Sequence, residues 1–324
     1  MQIQRIDPER PGRLLPALHD AFVAAYAGQP GPLWSRRRFE VDVTRGFPGA
    51  EVEAHVAVDG DEVIGGTMLA FPVHENLHLG RLAVLVVRPE RQRAGVGSAL
   101  LAHAVERVRA RGRRLVLSET QAGSDGARFA SARGFTLSLG EARRVLDLRA
   151  ADWDGLRRML PEPAGYRVER WLGPAEPGLL PDLATLLGGM NDAPRGEGVE
   201  ESRFPLDSVR FAEERIGLAG ETVYSVLARR ISDGAPAGFS RIFISPDVPG
   251  GWAAQADTAV LAGHRGHRLG LLMKLTNLFW LRESEPGVER VITWNARSNT
   301  HMLAINEAMG FELLDEWNDW RLDV

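Results

Sequence analysis

Cysteine is absent from this chain of 324 residues, which excludes disulfides, thiolate metal sites and a cysteine nucleophile. Lysine is almost absent: Lys274 is the only one, so 38 of the 39 basic residues are arginine. Arginine therefore serves as the general surface cation. Clusters such as Arg36-Arg37-Arg38, or the run from Arg107 to Arg114, read as solvated faces rather than nucleic-acid patches. Also missing is any apolar run approaching the ~20 residues that cross a bilayer. The N-terminus, MQIQRIDPERPGRLL, has no charged-then-apolar leader pattern, which points to a soluble cytoplasmic protein. A formal net charge of -4 supplies no global attraction to nucleic acid or anionic membrane, so neither is an expected partner.

What is present supports two folded domains. A hydrophobic content of 44% can build real cores, and 324 residues accommodate two domains of about 150 residues each. The first half reads helix (12 to 27), polar connections through Gly49, strands at 51 to 58, 62 to 71 and 78 to 87, a helix at 95 to 111, and a strand from Leu115. A short helix at 124 to 132 and a hairpin to 148 follow. The segment from Arg149 to Gly165 reads as a helical connector closed by two prolines, which places the domains at 1–150 and 151–324. The second half repeats this order, with helices near 179 to 189, 206 to 217, 268 to 283 and 298 to 309. Its strands fall near 222 to 230, 237 to 245, 254 to 262, 289 to 295 and 312 to 323.

Residues 82 to 101, LAVLVVRPERQRAGVGSALL, are the most informative stretch. An apolar strand runs into Gln92-Arg93-Ala94-Gly95-Val96-Gly97 and then into a helix start. Glycines let backbone N–H groups approach a ligand, and the helix N-terminus adds partial positive charge, so the turn can cradle a pyrophosphate without charged side chains. A degraded echo, DTAVLAGHRGHRLGLLMKL, spans 257 to 275. Gly97 maps to Gly270, and Gly134-Phe135 maps to Gly310-Phe311 at nearly the same offset, which argues for duplication.

At these residues the chain resembles the GCN5-related N-acetyltransferases, in the tandem arrangement of mycothiol synthase and similar actinobacterial proteins. The family pattern, Gln/Arg-x-x-Gly-x-Gly/Ala, is matched by Gln92 to Gly97; residues 265 to 270 read Arg-Gly-His-Arg-Leu-Gly, with Arg268 at the first glycine. The resemblance implies an α/β (α+β) fold of two such domains, each a mixed central sheet with splayed parallel strands flanked by helices. It implies acetyl-CoA, or another acyl-CoA, as co-substrate, held by the strand ending at Val87 and by Gln92, Arg93, Ala94, Gly95, Val96, Gly97 and Ser98. In the second domain the equivalents are Arg265, Gly266, His267, Arg268, Leu269 and Gly270. Family members often carry a pantetheine-contacting Asn eleven residues before the Gly-Phe glycine and a thiolate-protonating Tyr four before it. Asn299 keeps the first in the second copy, with Asn306 in place of the tyrosine; the first copy has Gly123 and Ala130.

Acyl transfer from a thioester to an amine requires that the ammonium lose a proton, the carbonyl be polarised and the thiolate leave. His78, Asp257 and Glu119 are the candidate bases, being the titratable groups on or next to the two cofactor strands. His78 reads equally as an exposed residue at a strand start. His264 and His267 lack a third ligand at a metal-binding spacing, so no metal is expected. A small-molecule amine is the expected acceptor. Its pocket is sought near Trp34 and Arg36 to Arg38 in the first copy, and near Met190 to Pro194, Glu197, Glu200 and Glu201 in the second. The rival readings are a non-catalytic acyl-CoA sensor and an aminoacyl-tRNA-dependent transferase of the same doubled fold. Oligomeric state and acceptor identity are left open by the sequence.

Overall fold

The computed structural model describes all residues from 1 to 324. In chain order the elements are β1 (Gln2–Arg5), α1 (Leu14–Ala25), α2 (Arg36–Arg45), β2 (Ala50–Asp59), β3 (Glu62–Pro72), β4 (Leu79–Val87), α3 (Val96–Ala110), β5 (Leu115–Gln121), α4 (Asp125–Ala132) and β6 (Thr136–Asp147). These continue with α5 (Trp153–Met159), β7 (Tyr166–Leu172), α6 (Leu180–Gly188), α7 (Leu206–Ala219), β8 (Thr222–Arg230), β9 (Pro236–Ile244), β10 (Trp252–Val260), α8 (Leu269–Ser284), β11 (Arg290–Ala296), α9 (Thr300–Ala308) and β12 (Glu312–Asp323).

Four elements depart from the sequence reading. The stretch expected as polar connection contains α2, which Ser35 caps by accepting from the Arg38 amide at 3.2 Å. Phe39 and Val43, one turn apart, bury against the core while the arginines stay outside, so the charge run hides an amphipathic helix. Short β1 and β7 each pair antiparallel with a longer strand, β2 and β8 respectively, and carry little periodic signal of their own. Where a hairpin was expected, residues 136 to 147 form the single strand β6.

The chain packs as two compact units, and neither is continuous in sequence. The first comprises Met1–Leu139, Gly196–Glu201 and Trp317–Val324; the second comprises Gly140–Arg195 and Ser202–Glu316. In the first, β1, β2, β3 and β4 are antiparallel neighbours, β4 runs parallel to β5, and the other edge of β5 is paired with the end of β12, Trp317 to Asp323. In the second, β7, β8, β9 and β10 are antiparallel, β10 runs parallel to β11, and β11 pairs with residues 141 to 147 of β6. Each sheet is therefore completed by a strand from the opposite half of the sequence. The 1–150 and 151–324 division is accordingly kept as a proposal for the limits of the sequence repeat.

Within the first unit, α3 buries Leu101, Ala104 and Val108 against Leu82, Phe71 and Val116 of the sheet. Its polar side is clamped to β2 by Glu53. Burial opposes the charge on this carboxylate, yet hydrogen bonds from Arg107 and Arg111 outweigh it and hold the pKa at about 2. Within the second unit, α8 packs Leu271, Leu275, Leu278 and Leu281 on Ile242, Ala253 and Val291.

Candidate active site

The site starts where two parallel strands part. β4 and β5 are in register at Leu79–Leu115, Gly80–Val116 and Arg81–Leu117 and then diverge. The next carbonyl, Leu82 O, is freed by the parting and accepts instead from the Ser118 hydroxyl at 3.0 Å. On its other side β4 carries an extra residue, Ala83, between its pairings with Leu69 and Met68, which bends the strand at the same level. The second unit repeats the device. β10 and β11 pair from Trp252–Arg290 to Gln255–Thr293, the Thr293 hydroxyl donates to Gln255 O at 3.2 Å, and a bulge at Ala256 and Asp257 follows.

Beyond each splayed strand the chain makes the glycine turn and enters a helix. In the first turn Arg93 (φ 63°) and Gly95 (φ 85°) are left-handed; in the second Gly266 (φ 83°) and Arg268 (φ 56°) are. The backbone path is shared and the glycine has changed places. Arg268 bears the modest cost of a non-glycine residue there, about 1 kcal/mol. A Cβ at Gly95 or Gly266 would meet nothing within 4 Å, so the concave side of each turn is open space. Neither α3 nor α8 has a side-chain N-cap, and no protein group accepts from the amides of residues 93 to 98 or 266 to 271. Six successive N–H donors at a helix N-terminus are able to receive an anion. Equivalent side chains orient both turns: Gln92 donates to Val87 O and Arg265 to Val260 O, each at 3.3 Å.

In the first unit the gap between β4 and β5 opens into a cleft of about 270 Å³. Leu82, Val87, Leu101, Phe129, Ala130 and Phe135 supply its apolar lining, and Tyr26, Gln29, Gln92 and Glu119 its polar edge. Glu119 lies directly opposite Asp319 of β12, and their carboxylate oxygens come within 4.8 Å of each other. Burial first, and then the Glu119 charge, push Asp319 up to about 6, against the pull of Arg81. The Trp320 indole donates to Thr120 Oγ1 at 2.8 Å and fixes β12 on β5 beside this pair. Asp319 was not among the candidates from sequence, because nothing local marks the end of β12 as the neighbour of β5.

Of the candidates from sequence, Val87, Gln92 and Glu119 line the same cleft. Arg93 to Ser98 form the turn above it, and the Ser98 hydroxyl accepts from Arg133 at the end of α4. His78 lies outside the cleft, where β4 and β5 are still paired. Its Nε2 is 2.9 Å from Gly198 O and its Nδ1 3.8 Å from Glu200, so the ring docks the 196–201 segment. Asp257 occupies the bulge of β10. Burial raises its pKa, Arg241 opposes this and Glu213 adds to it. Asn299 is the N-cap of α9, its Oδ1 accepting from the Met302 amide at 3.2 Å. Ser124 does the same for α4, one position later than the family spacing suggests, because α9 is nine residues long and α4 eight. His267 packs its ring on Tyr166, and His264 Nδ1 lies 3.1 Å from the Tyr166 hydroxyl, which gives both histidines packing roles.

The acidic segment sought as an acceptor pocket is largely committed. Asp192 pairs with Arg265, Glu197 with Arg321 at 3.2 Å, and Glu200 accepts from the Asn76 amide at 2.8 Å. Trp34 stacks on Phe22 in the first unit's core and carries Arg38 over its face.

The profile of the acetyltransferase (GNAT) family matches residues 15–135. No curated protein matches the sequence. Among solved structures, a tandem GNAT protein from the clavulanic acid biosynthesis pathway is 28% identical with a TM-score of 0.83, covering 99% of this chain and 98% of that one. A GCN5-related N-acetyltransferase from Sphaerobacter thermophilus shares the fold at 18% identity and a TM-score of 0.67, over 99% of this chain and 95% of its own. A putative acetyltransferase from Pyrococcus horikoshii shares it at 15% identity and 0.59, over 100% and 89%. No helix is long and apolar enough to cross a membrane. Residues 15–135 match the GNAT acetyltransferase family, and the chain as a whole is similar in fold to a tandem GNAT protein.

Proposed function

We propose that the first unit transfers an acyl group from acetyl-CoA, or another acyl-CoA, to a small-molecule amine. The observation that carries this is the juxtaposition of the cleft, the open amide turn above it and the Glu119–Asp319 pair at its rim. The residues fit such a donor: unaccepted amides for a pyrophosphate, open space at Gly95, and an apolar slot between parted strands for an arm of pantetheine dimensions.

The chemistry follows from these groups. Strand edge amides beside the parting can polarise a carbonyl without any particular side chain. An amine arriving as ammonium is attracted to two carboxylates. Asp319, ionising near pH 6 beside Glu119, is matched to accept a proton at neutral pH. Where the family tyrosine would stand, Ala130 lines the cleft, so no side chain there protonates the thiolate. With a thiol pKa near 8 to 9 it leaves unaided at modest cost.

Thiol release, measured with acetyl-CoA and a panel of amines, tests this reading. Asp319→Asn and Glu119→Gln should each cut turnover sharply while acetyl-CoA still binds. Unchanged turnover in both variants would refute it.

A further inference from the structure

We infer that Lys274 is an internal acyl acceptor, an amine at the position equivalent to a lining residue of the first unit's cleft, so that a thioester held between the parted strands of the second unit acylates it. This rests on the reading that the chain binds an acyl-CoA, and it assigns the second unit a self-modification that the first cannot perform.

The placement comes from the repeat. Gly97, Leu101 and Phe135 of the first unit correspond to Gly270, Lys274 and Phe311 of the second. The correspondence is secured by the matched strand registers, the matched hydroxyl-to-carbonyl bonds and the matched packing of Gly97 on Val87 and Gly270 on Val260. Leu101 and Phe135 both line the first cleft. In the second unit a lysine replaces the leucine, and its Nζ sits 5.4 Å from the centre of the Phe311 ring.

The choice of residue is informative because every other cation in the chain is arginine. A guanidinium stays charged, whereas an amine can shed its proton and become a nucleophile. Lys274 is 1% exposed, and no neighbouring carboxylate offsets its burial. Burial alone lowers its pKa to about 7, so a large fraction is neutral at physiological pH. A second position equivalent to a lining residue of the first cleft has also turned polar. Asn306 replaces Ala130, donates to Asn295 Oδ1 at 2.8 Å, and leaves its own Oδ1 buried without a partner.

In the step itself, the neutral Nζ lone pair forms a C–N bond to the thioester carbonyl carbon. The C–S bond breaks, and the proton lost from nitrogen goes to the departing thiolate as free thiol. The product is an uncharged amide, which ends the cost of burying an unpaired ammonium.

The test is incubation of the whole chain with acetyl-CoA, followed by intact mass and mapping of the peptide from Leu269 to Arg282, alongside acetyl-CoA titration. The inference expects one acetyl group per chain on Lys274, no label in Lys274→Leu, and labelling at least tenfold slower in Gly270→Trp. Lys274→Leu copies the first unit's residue at this place. Thermal melts of the variants confirm that they remain folded. Absence of label on Lys274 overturns the inference. If acetyl-CoA nonetheless binds, the donor reading stands and only the acceptor assignment falls; if it does not bind, both fall. A label that persists in Lys274→Leu at equal stoichiometry, on the N-terminal amine for example, also overturns it.

Discussion

The two units keep the same turn and the same parted strands, and they differ most where chemistry would occur. In the first, Glu119 of β5 faces Asp319 of β12. At the same place in the second, Trp294 of β11 faces Arg143 of β6. There the arginine lies 5.3 Å from the indole centre and is held by Asp315 at 2.6 Å. One cross-strand position thus holds two acids, one with its pKa raised into the range of a general base, and its counterpart holds a cation on an aromatic face. The two units share the turn whose open amides suit an anion, since that turn depends on backbone conformation. They do not share the titratable pair, which depends on two side chains brought from distant parts of the sequence.

The largest expected effect tests which unit performs turnover on external amines. Asp319→Asn and Glu119→Gln should each lower kcat/KM about 100-fold or more in thiol-release assays, while Asp257→Asn changes it less than about threefold. The reverse ranking would move the catalytic centre to the second unit. Next in size is donor binding. Gly97→Trp should weaken acetyl-CoA in calorimetric titration by at least about tenfold, because the indole fills the space beside Val87 and Phe129 through which the donor must pass. Equal loss in Gly270→Trp alone would show that the second turn holds the donor more tightly.

A smaller effect concerns pH. A carboxyl whose folded pKa is raised to about 6 is protonated below that value, so kcat/KM should climb with pH through about 6 and then level off. Asp319→Asn should remove this limb; a limb that survives would assign it to another group. Smallest is the effect of exchanging the turn residues. Arg268→Gly removes a side chain from a left-handed position and should raise stability by about 1 kcal/mol, or a few degrees in Tm. Gly95→Ala should cost a similar amount, since no contact at that position offsets the strain. Denaturation curves check both, and a neutral Arg268→Gly would mean that the arginine side chain contributes contacts of its own.

How much of this was legible in the sequence depended on locality. The turn at 92 to 97 and its echo could be read directly because a strand–turn–helix is specified by neighbouring residues. Glu119 was legible for the same reason, as the carboxylate just past a recognisable strand. Arg268 looked like damage to the second turn; the structure shows the glycine and the arginine exchanging left-handed positions, which residue spacing alone does not reveal. Helix α2 was hidden by its three arginines, which face out while Phe39 and Val43 face in. Asp319 was beyond reach, since its partner strand lies about 200 residues earlier and only the fold brings them together.

The completion of each sheet by the other half's strand also has a consequence for how the molecule is made. The edge of β5 that receives Trp317 to Asp323 must stay uncovered while the ribosome synthesises everything between them. The glycine turn and most of the cleft lining are translated well before Asp319, which on the proposed reading finishes the site. On that reading catalytic competence waits for β12, and a nascent chain halted midway holds the cradle without the base.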